Sequence, residues 1–170
     1  ASQCWTCAYL IDDAGRRLGI FPSRVARLIY PSIITAKDIA ISYALVGQHS
    51  TQMYRRKFKF NFDVERPTLD FWIAFNMALN GPAIYSKKIL SAYRMTSSPS
   101  LTRTQSRNRV AVDILAMHLA DIVATYPQFA RSAKSNMFAR LLFSKLRGHD
   151  IREILRALEG AKNVRIDLLD

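Results

Sequence analysis

The sequence predicts a mainly α fold: a single helical domain of about six or seven helices, with one short β-like ribbon and extended terminal arms. Three observations lead there. Glycine and proline number only six each in 170 residues, which favours long regular elements over a turn-rich sandwich. From Thr68 onward, apolar residues recur at helical spacing between clear stop signals. In the body of the chain, only Met53 to Phe62 alternates convincingly as a strand does. The 49% hydrophobic and 22% charged residues suit a packed core and exclude a wholly disordered basic tail. Residues 1–160 read as one basic domain and 161–170 as a C-terminal arm.

In chain order, Trp5, Ala8, Tyr9 and Asp12 have helical spacing before Gly15 and Gly19 interrupt. Pro22-Ser23 starts a helix that Pro31 ends after Tyr30. Thr35 and Asp38 resemble a capping box for a helix from Ala36 to Val46, with Gly47 as C-cap. In Lys57-Phe58-Lys59-Phe60-Asn61-Phe62 the rings alternate with polar residues, the pattern of a half-buried strand or extended arm. Thr68 caps a helix to Leu79. Pro82 opens another to Arg94, with Ile84, Lys88, Ile89, Ala92 and Tyr93 as its buried stripe. Met95 to Ser106 reads as a loop, Val110–Tyr126 and Phe129–Leu146 as helices, and Asp150 with Glu153 caps a last helix to Leu158. Val164 to Leu168 alternates as an extended tail would.

The charge is more informative than the fold. Net charge is +12, and three windows (39–62, 71–112 and 122–149) hold fifteen of the 25 Lys and Arg and none of the 13 Asp and Glu. A field so organised attracts polyanions and repels copies of itself. The densest stretch, Tyr54 to Phe60, interleaves Arg55, Arg56, Lys57 and Lys59 with aromatics. Cations there track phosphates, and Tyr54 and Phe58 are candidates to stack on bases. Lys87, Lys88 and Arg94 precede the loop that supplies Arg103, Arg107 and Arg109. Arg107 lies near a helix start, where free N–H groups already favour phosphate. On the Phe129–Leu146 helix, Arg131, Lys134 and Lys145 form one side of a wholly cationic polar face, flanked by Arg140 and Arg147, with Met137, Phe138, Leu141 and Leu142 on the other.

Catalysis and metal binding find little support. Cys4-x-x-Cys7 has no second pair to complete a zinc site and no strand-to-helix context for redox work, so two small apolar residues on a helix face are expected. His149-Asp150 fits a C-cap followed by an N-cap, and His118 between Met117 and Leu119 fits a partly buried imidazole. Asp63, Glu65 and Asp70 flank Arg66 and Pro67 and read as local pairing and helix N-terminal charge. No nucleotide-binding or hydrolase motif is present, so no enzyme, cofactor or metal is expected. No apolar run reaches membrane-spanning length, and no secretory signal is visible. The expected location is intracellular or within a nucleoprotein particle.

In composition and architecture the chain resembles viral coat or nucleocapsid proteins and the small helical subunits of RNA-guided effector complexes. No motif carries residues over from either. The expected function is non-catalytic, sequence-tolerant binding of single-stranded RNA or DNA by a subunit that repeats along its polymer. Trp5 and Tyr9 at one end, and Val164, Ile166 and Leu168 at the other, are candidate contacts for assembly into a ring or filament. The alternative is an interaction subunit that docks an acidic protein or anionic membrane through the cationic helix.

Overall fold

The structure, a computed structural model, describes residues 1–42, 45–46, 51–57, 70–95, 105–146 and 152; the side chains of 105–113 and 143–144 lie outside that description. Five strands form one mixed sheet: β1 (Gln3–Ile11), β2 (Arg17–Phe21), β3 (Ile33–Ile34), β4 (Gln52–Tyr54) and β5 (Ala83–Arg94). Five α-helices accompany them among the described residues: α1 (Arg24–Ile29), α2 (Ala36–Ile41), α3 (Asp70–Leu79), α4 (Gln105–Thr125) and α5 (Ala130–Leu146). The fold is therefore mixed α/β, and the mainly α expectation is corrected.

β1 holds the centre of the sheet, whose order is β2-β1-β5-β3. β5 runs parallel to β1 along its whole length. On the other side of β1, antiparallel β2 pairs with Ala8–Ile11 and antiparallel β4 with Gln3–Trp5. The β1–β2 hairpin turns at Gly15, whose φ of 80° suits a residue without Cβ. Asp12 pins the turn, accepting from the Arg16 backbone N–H at 2.8 Å and from Arg16 Nε at 2.7 Å. Those two bonds, the backbone one foremost, hold the Asp12 carboxyl below its ordinary range.

The helical reading of Trp5–Asp12 fails for a physical reason. A central strand is buried on both faces, so Trp5, Thr6, Cys7 and Ala8 are all buried and no alternation shows. Cys4 and Cys7 consequently lie on opposite faces of a strand, both as free thiols. The expected helix from Pro82 to Arg94 is β5 instead. Two register shifts interrupt its pairing with β1: Trp5 pairs with Tyr85 but Cys7 with Ile89, and Ala8 then pairs with Ser91. Such bulges break strict alternation, and what remains imitates a helical stripe.

Other elements match their sequence signals. The capping box is present: Thr35 Oγ1 accepts from the Asp38 N–H at 3.3 Å, and Asp38 Oδ2 accepts from the Thr35 N–H at 2.8 Å. The helix it opens ends at Ile41 rather than Val46, and Gly47 lies outside the described residues. α1 has Ser23 as its cap, as Pro22-Ser23 suggests. α4 begins earlier than expected, and a 3-10 turn (Pro127–Phe129) separates it from α5. Thr68, the ribbon beyond Lys57, the helix expected after Asp150 and the 161–170 arm all lie outside the described residues.

The core sits between the sheet and α2–α5. Gln3, Trp5, Cys7, Ala83 and Tyr85 share one face of the sheet by strand alternation, and the Gln3 amide donates to the Ala74 carbonyl of α3 at 2.8 Å. Phe71 and Phe75 of α3, Leu119 and Ile122 of α4, and Ala133 and Met137 of α5 fill the space behind them. Each fully buried large apolar side chain contributes roughly 1.5–3 kcal/mol. Trp72 stacks on His118 with centroids 4.8 Å apart, so the imidazole belongs to this packing. Asn136 Nδ2 donates to the Ala40 carbonyl at 3.0 Å, tying α5 to the last turn of α2.

Candidate polyanion interface

The candidate cations fall at distinct places on this frame. β4 ends at Tyr54, the Arg55 N–H still donates to the Ser2 carbonyl at 2.8 Å, and a turn follows at Arg56 and Lys57. Arg55, Arg56 and Lys57 are thus exposed at the end of the sheet where β1 begins. Lys87 and Lys88 stand exposed midway along β5, inside its first register shift. Arg94 ends β5 opposite Ile11, and Arg17 pairs with Ile11 from the other side. At ordinary strand spacing the Arg17 and Arg94 backbones lie about 10 Å apart. Arg17 also covers Tyr9, its guanidinium 4.0 Å from the ring centroid.

Arg17 was missing from the sequence-derived candidates. The signal for it was Asp12-Asp13-Ala14-Gly15 between two runs of strand-forming residues, a hairpin pattern that carries Arg16 and Arg17 onto the returning strand.

On α5 the expected division of faces is corrected. Met137 and Leu141 are buried, but Phe138 is 56% exposed, Leu142 47% and Leu146 73%. At 3.6 residues per turn these three fall in one stripe with Arg131, Lys134 and Lys145, about 21 Å long. The exposed face is thus cationic and apolar together, not wholly cationic. Arg140 is half-buried, its Nε donating to Asn136 Oδ1 at 3.3 Å.

Few acids oppose these cations. Arg16–Asp12 is the one ion pair formed among the described residues. Arg55, Arg56, Lys87, Lys88, Arg94, Arg131, Lys134 and Lys145 are exposed and make no ion pair with another described residue. Asp38 is engaged in its capping box and Asp70 opens α3, where a carboxylate complements the helix N-terminus.

The aromatic candidates fare differently. The Tyr54 hydroxyl donates to Gln52 Oε1, and burial, with the Asp70 charge second, pushes its phenol well above the ordinary range. Its hydroxyl is engaged and its ring is half-buried. Trp5 is 1% exposed and faces the helices, so it cannot anchor a neighbouring subunit from a terminal arm. Tyr9 lies half-buried under Arg17. Phe58, Lys59, Arg103, Val164, Ile166 and Leu168 lie outside the described residues. Arg107 and Arg109 fall near the start of α4, with side chains outside the description.

A second cluster lies on the helix-facing side of the sheet. Cys7 Sγ and Tyr85 Oη are 3.1 Å apart, and the Tyr30 ring meets Tyr85 edge-on at 5.5 Å. Tyr85 is held well above the ordinary phenol range by burial first and by Cys7 second, with Arg27 opposing. Cys7 is fully buried, so this thiol has no route to an external substrate. No group of three or more metal-ligating side chains occurs among the described residues. No helix among them is long and apolar enough to cross a membrane. No family model, curated protein or solved structure matches the chain.

Proposed function

We propose that this protein is a non-catalytic binder of single-stranded nucleic acid, RNA in preference to DNA, that grips phosphates without reading sequence and repeats along its polymer. One observation carries the reading: exposed Arg and Lys at both ends of the β1–β5 pair, midway along β5 and on α5 have no carboxylate partner among the described residues. Cations at several sites without a described carboxylate partner suit a flexible polyanion, which releases counterions as each phosphate is neutralised. Stacking carries less of the argument than charge, because the Tyr54 hydroxyl is engaged and the ring is half-buried. A shared polyanion would also remove the self-repulsion of a chain at +12 and let copies pack along it.

The test is a fluorescence titration of a labelled homopolymeric RNA at several salt concentrations. With about four to six phosphates contacted per subunit, log affinity falls against log salt with a slope near −3 to −4. The double variant Arg55→Glu/Arg56→Glu weakens binding and flattens that slope. Affinity indifferent to salt rules the reading out.

A second reading has its own observation. Phe138, Leu142 and Leu146 are exposed among the α5 cations, and apolar residues with Lys and Arg on one helix face suit an anionic membrane surface. Co-sedimentation with phosphatidylserine vesicles, run beside the RNA titration, separates the two.

A further inference from the structure

We infer that the outer edge of β5 from Ser86 to Arg94, which no described strand occupies, accepts an extended acidic peptide as an added strand. β5 is twelve residues long, and β1 occupies one side of it throughout. On the other side β3 reaches only Ala83 and Ile84, and the last contact is the Tyr85 N–H donating to the Ser32 carbonyl at 2.8 Å. Beyond Tyr85 no described strand pairs with that edge. An edge strand presents outward N–H and C=O groups in register, which is a template for another strand.

The side chains specify the occupant. Lys87, Lys88, Leu90, Ala92 and Arg94 are all exposed along this stretch. Leu90 is 65% exposed, and it is the residue left over where Ile89 pairs with Cys7 and Ser91 with Ala8. It therefore stands clear of the ladder as an apolar contact for a strand laid alongside. Three cations within eight residues, inside a window from Phe71 to Val112 that contains no acid, give this edge one sign of charge.

A second copy is the wrong partner. Antiparallel pairing of two β5 edges about Leu90 and Ser91 would set Lys87 against Arg94 twice over, and like charges directly opposite one another destabilise a strand pair. The lysines thus prevent self-pairing and at the same time select an acidic chain. A peptide with alternating acidic and small apolar residues supplies carboxylates on one face, while its backbone completes the ladder.

The probe is a fluorescein-labelled nine-residue peptide of alternating Asp and Val, titrated into the full chain by anisotropy. Two analogues carry N-methyl groups on alternate residues, one on each register, so that only one blocks the edge facing the protein. The unmodified peptide should bind, and one analogue should lose at least tenfold in affinity while the other keeps it. Lys87→Glu/Lys88→Glu, at exposed positions, should also weaken binding at least tenfold. Hydrogen exchange of the complex should show new protection within 86–94. Equal binding by both N-methylated analogues would reduce the contact to charge alone and overturn strand addition. Protection on β2 instead of β5, or no binding by the parent peptide, would overturn it as well.

Discussion

The Cys7 thiol and the Tyr85 hydroxyl meet at 3.1 Å on the helix-facing side of the sheet, joining β1 to β5 through their side chains as well as their backbones. Buried polar groups are costly unless partnered, and here each supplies the other's partner.

This pair gives the stability a dependence on alkaline pH. Tyr85 is raised above the ordinary phenol value near 10, chiefly by burial. A raised folded-state pKa favours the protonated form, so its contribution is complete below the unfolded value and is lost as pH climbs past it. Urea midpoints should therefore fall between pH 9 and about pH 11. Tyr85→Phe should flatten that decline, leaving a remainder from Tyr30 and Tyr54, whose phenols burial also raises. An unchanged slope in the variant would show that Tyr85 does not titrate in this way.

Asn136 is expected to matter chiefly through the bond it donates across to α2, beside the one it accepts from Arg140. Its acceptor, the Ala40 carbonyl, lies in the last turn of α2, and no other donor reaches it among the described residues. Asn136→Ala removes this buried bond and should cost about 1–3 kcal/mol in chemical unfolding. Thr35→Ala, which removes an exposed cap from the same helix, should cost about 1 kcal/mol.

Two glycines should respond oppositely to alanine. Gly81 has φ 143°, a conformation an L side chain rarely adopts, although a Cβ there would come no nearer than 3.7 Å to Ser2 N. The strain is in the backbone, and Gly81→Ala should cost about 1–3 kcal/mol. At Gly19 the Cβ would meet only Leu10 Cδ1, at 3.9 Å, without an unusual φ. Gly19→Ala should be neutral or stabilise by up to about 1 kcal/mol. Melting temperatures of the two variants check the pair.

The α5 stripe separates the two functional readings. Phe138→Ser/Leu142→Ser changes exposed side chains, so each replacement should move stability by no more than about 0.5 kcal/mol. If nucleic acid is the partner, the RNA titration changes less than twofold while Arg131→Glu/Lys134→Glu weakens it strongly. Loss of vesicle binding with the serine pair, against unchanged RNA affinity, would assign the two ligands to different features of one helix.

Much of the helical half was legible in the sequence because its signals are local. Thr35 and Asp38 are three residues apart, and Pro127 stops α4 at the residue that signals it. The sheet was not legible because its signals are distant. β1 lacks alternation because both of its faces are buried, Trp5 and Cys7 on one and Thr6 and Ala8 on the other, and no residue of β1 itself announces what covers them. The exposure of the candidate cations was readable, since Arg and Lys rarely bury without a partner. The exposure of Phe138 and the β5 edge without a described partner strand were not, because each depends on what packs beside it.

The parallel pairing of β1 with β5 also orders events in time. Gln3 meets Ala83 across about 80 residues, so the central strand is synthesised long before its principal neighbour. At translation rates of about 5–20 residues per second, β1 waits roughly 4–16 s for β5, with the β2 hairpin and later β4 on its other side. Its Cys7 side must stay unmatched through that interval, and pairing over so long a loop is intrinsically slow. The nascent chain therefore passes through a stage in which one side of its central strand lacks a partner, and escape from aggregation then rests on the repulsion among cations already made, Arg16, Arg17, Arg24 and Arg27 among them.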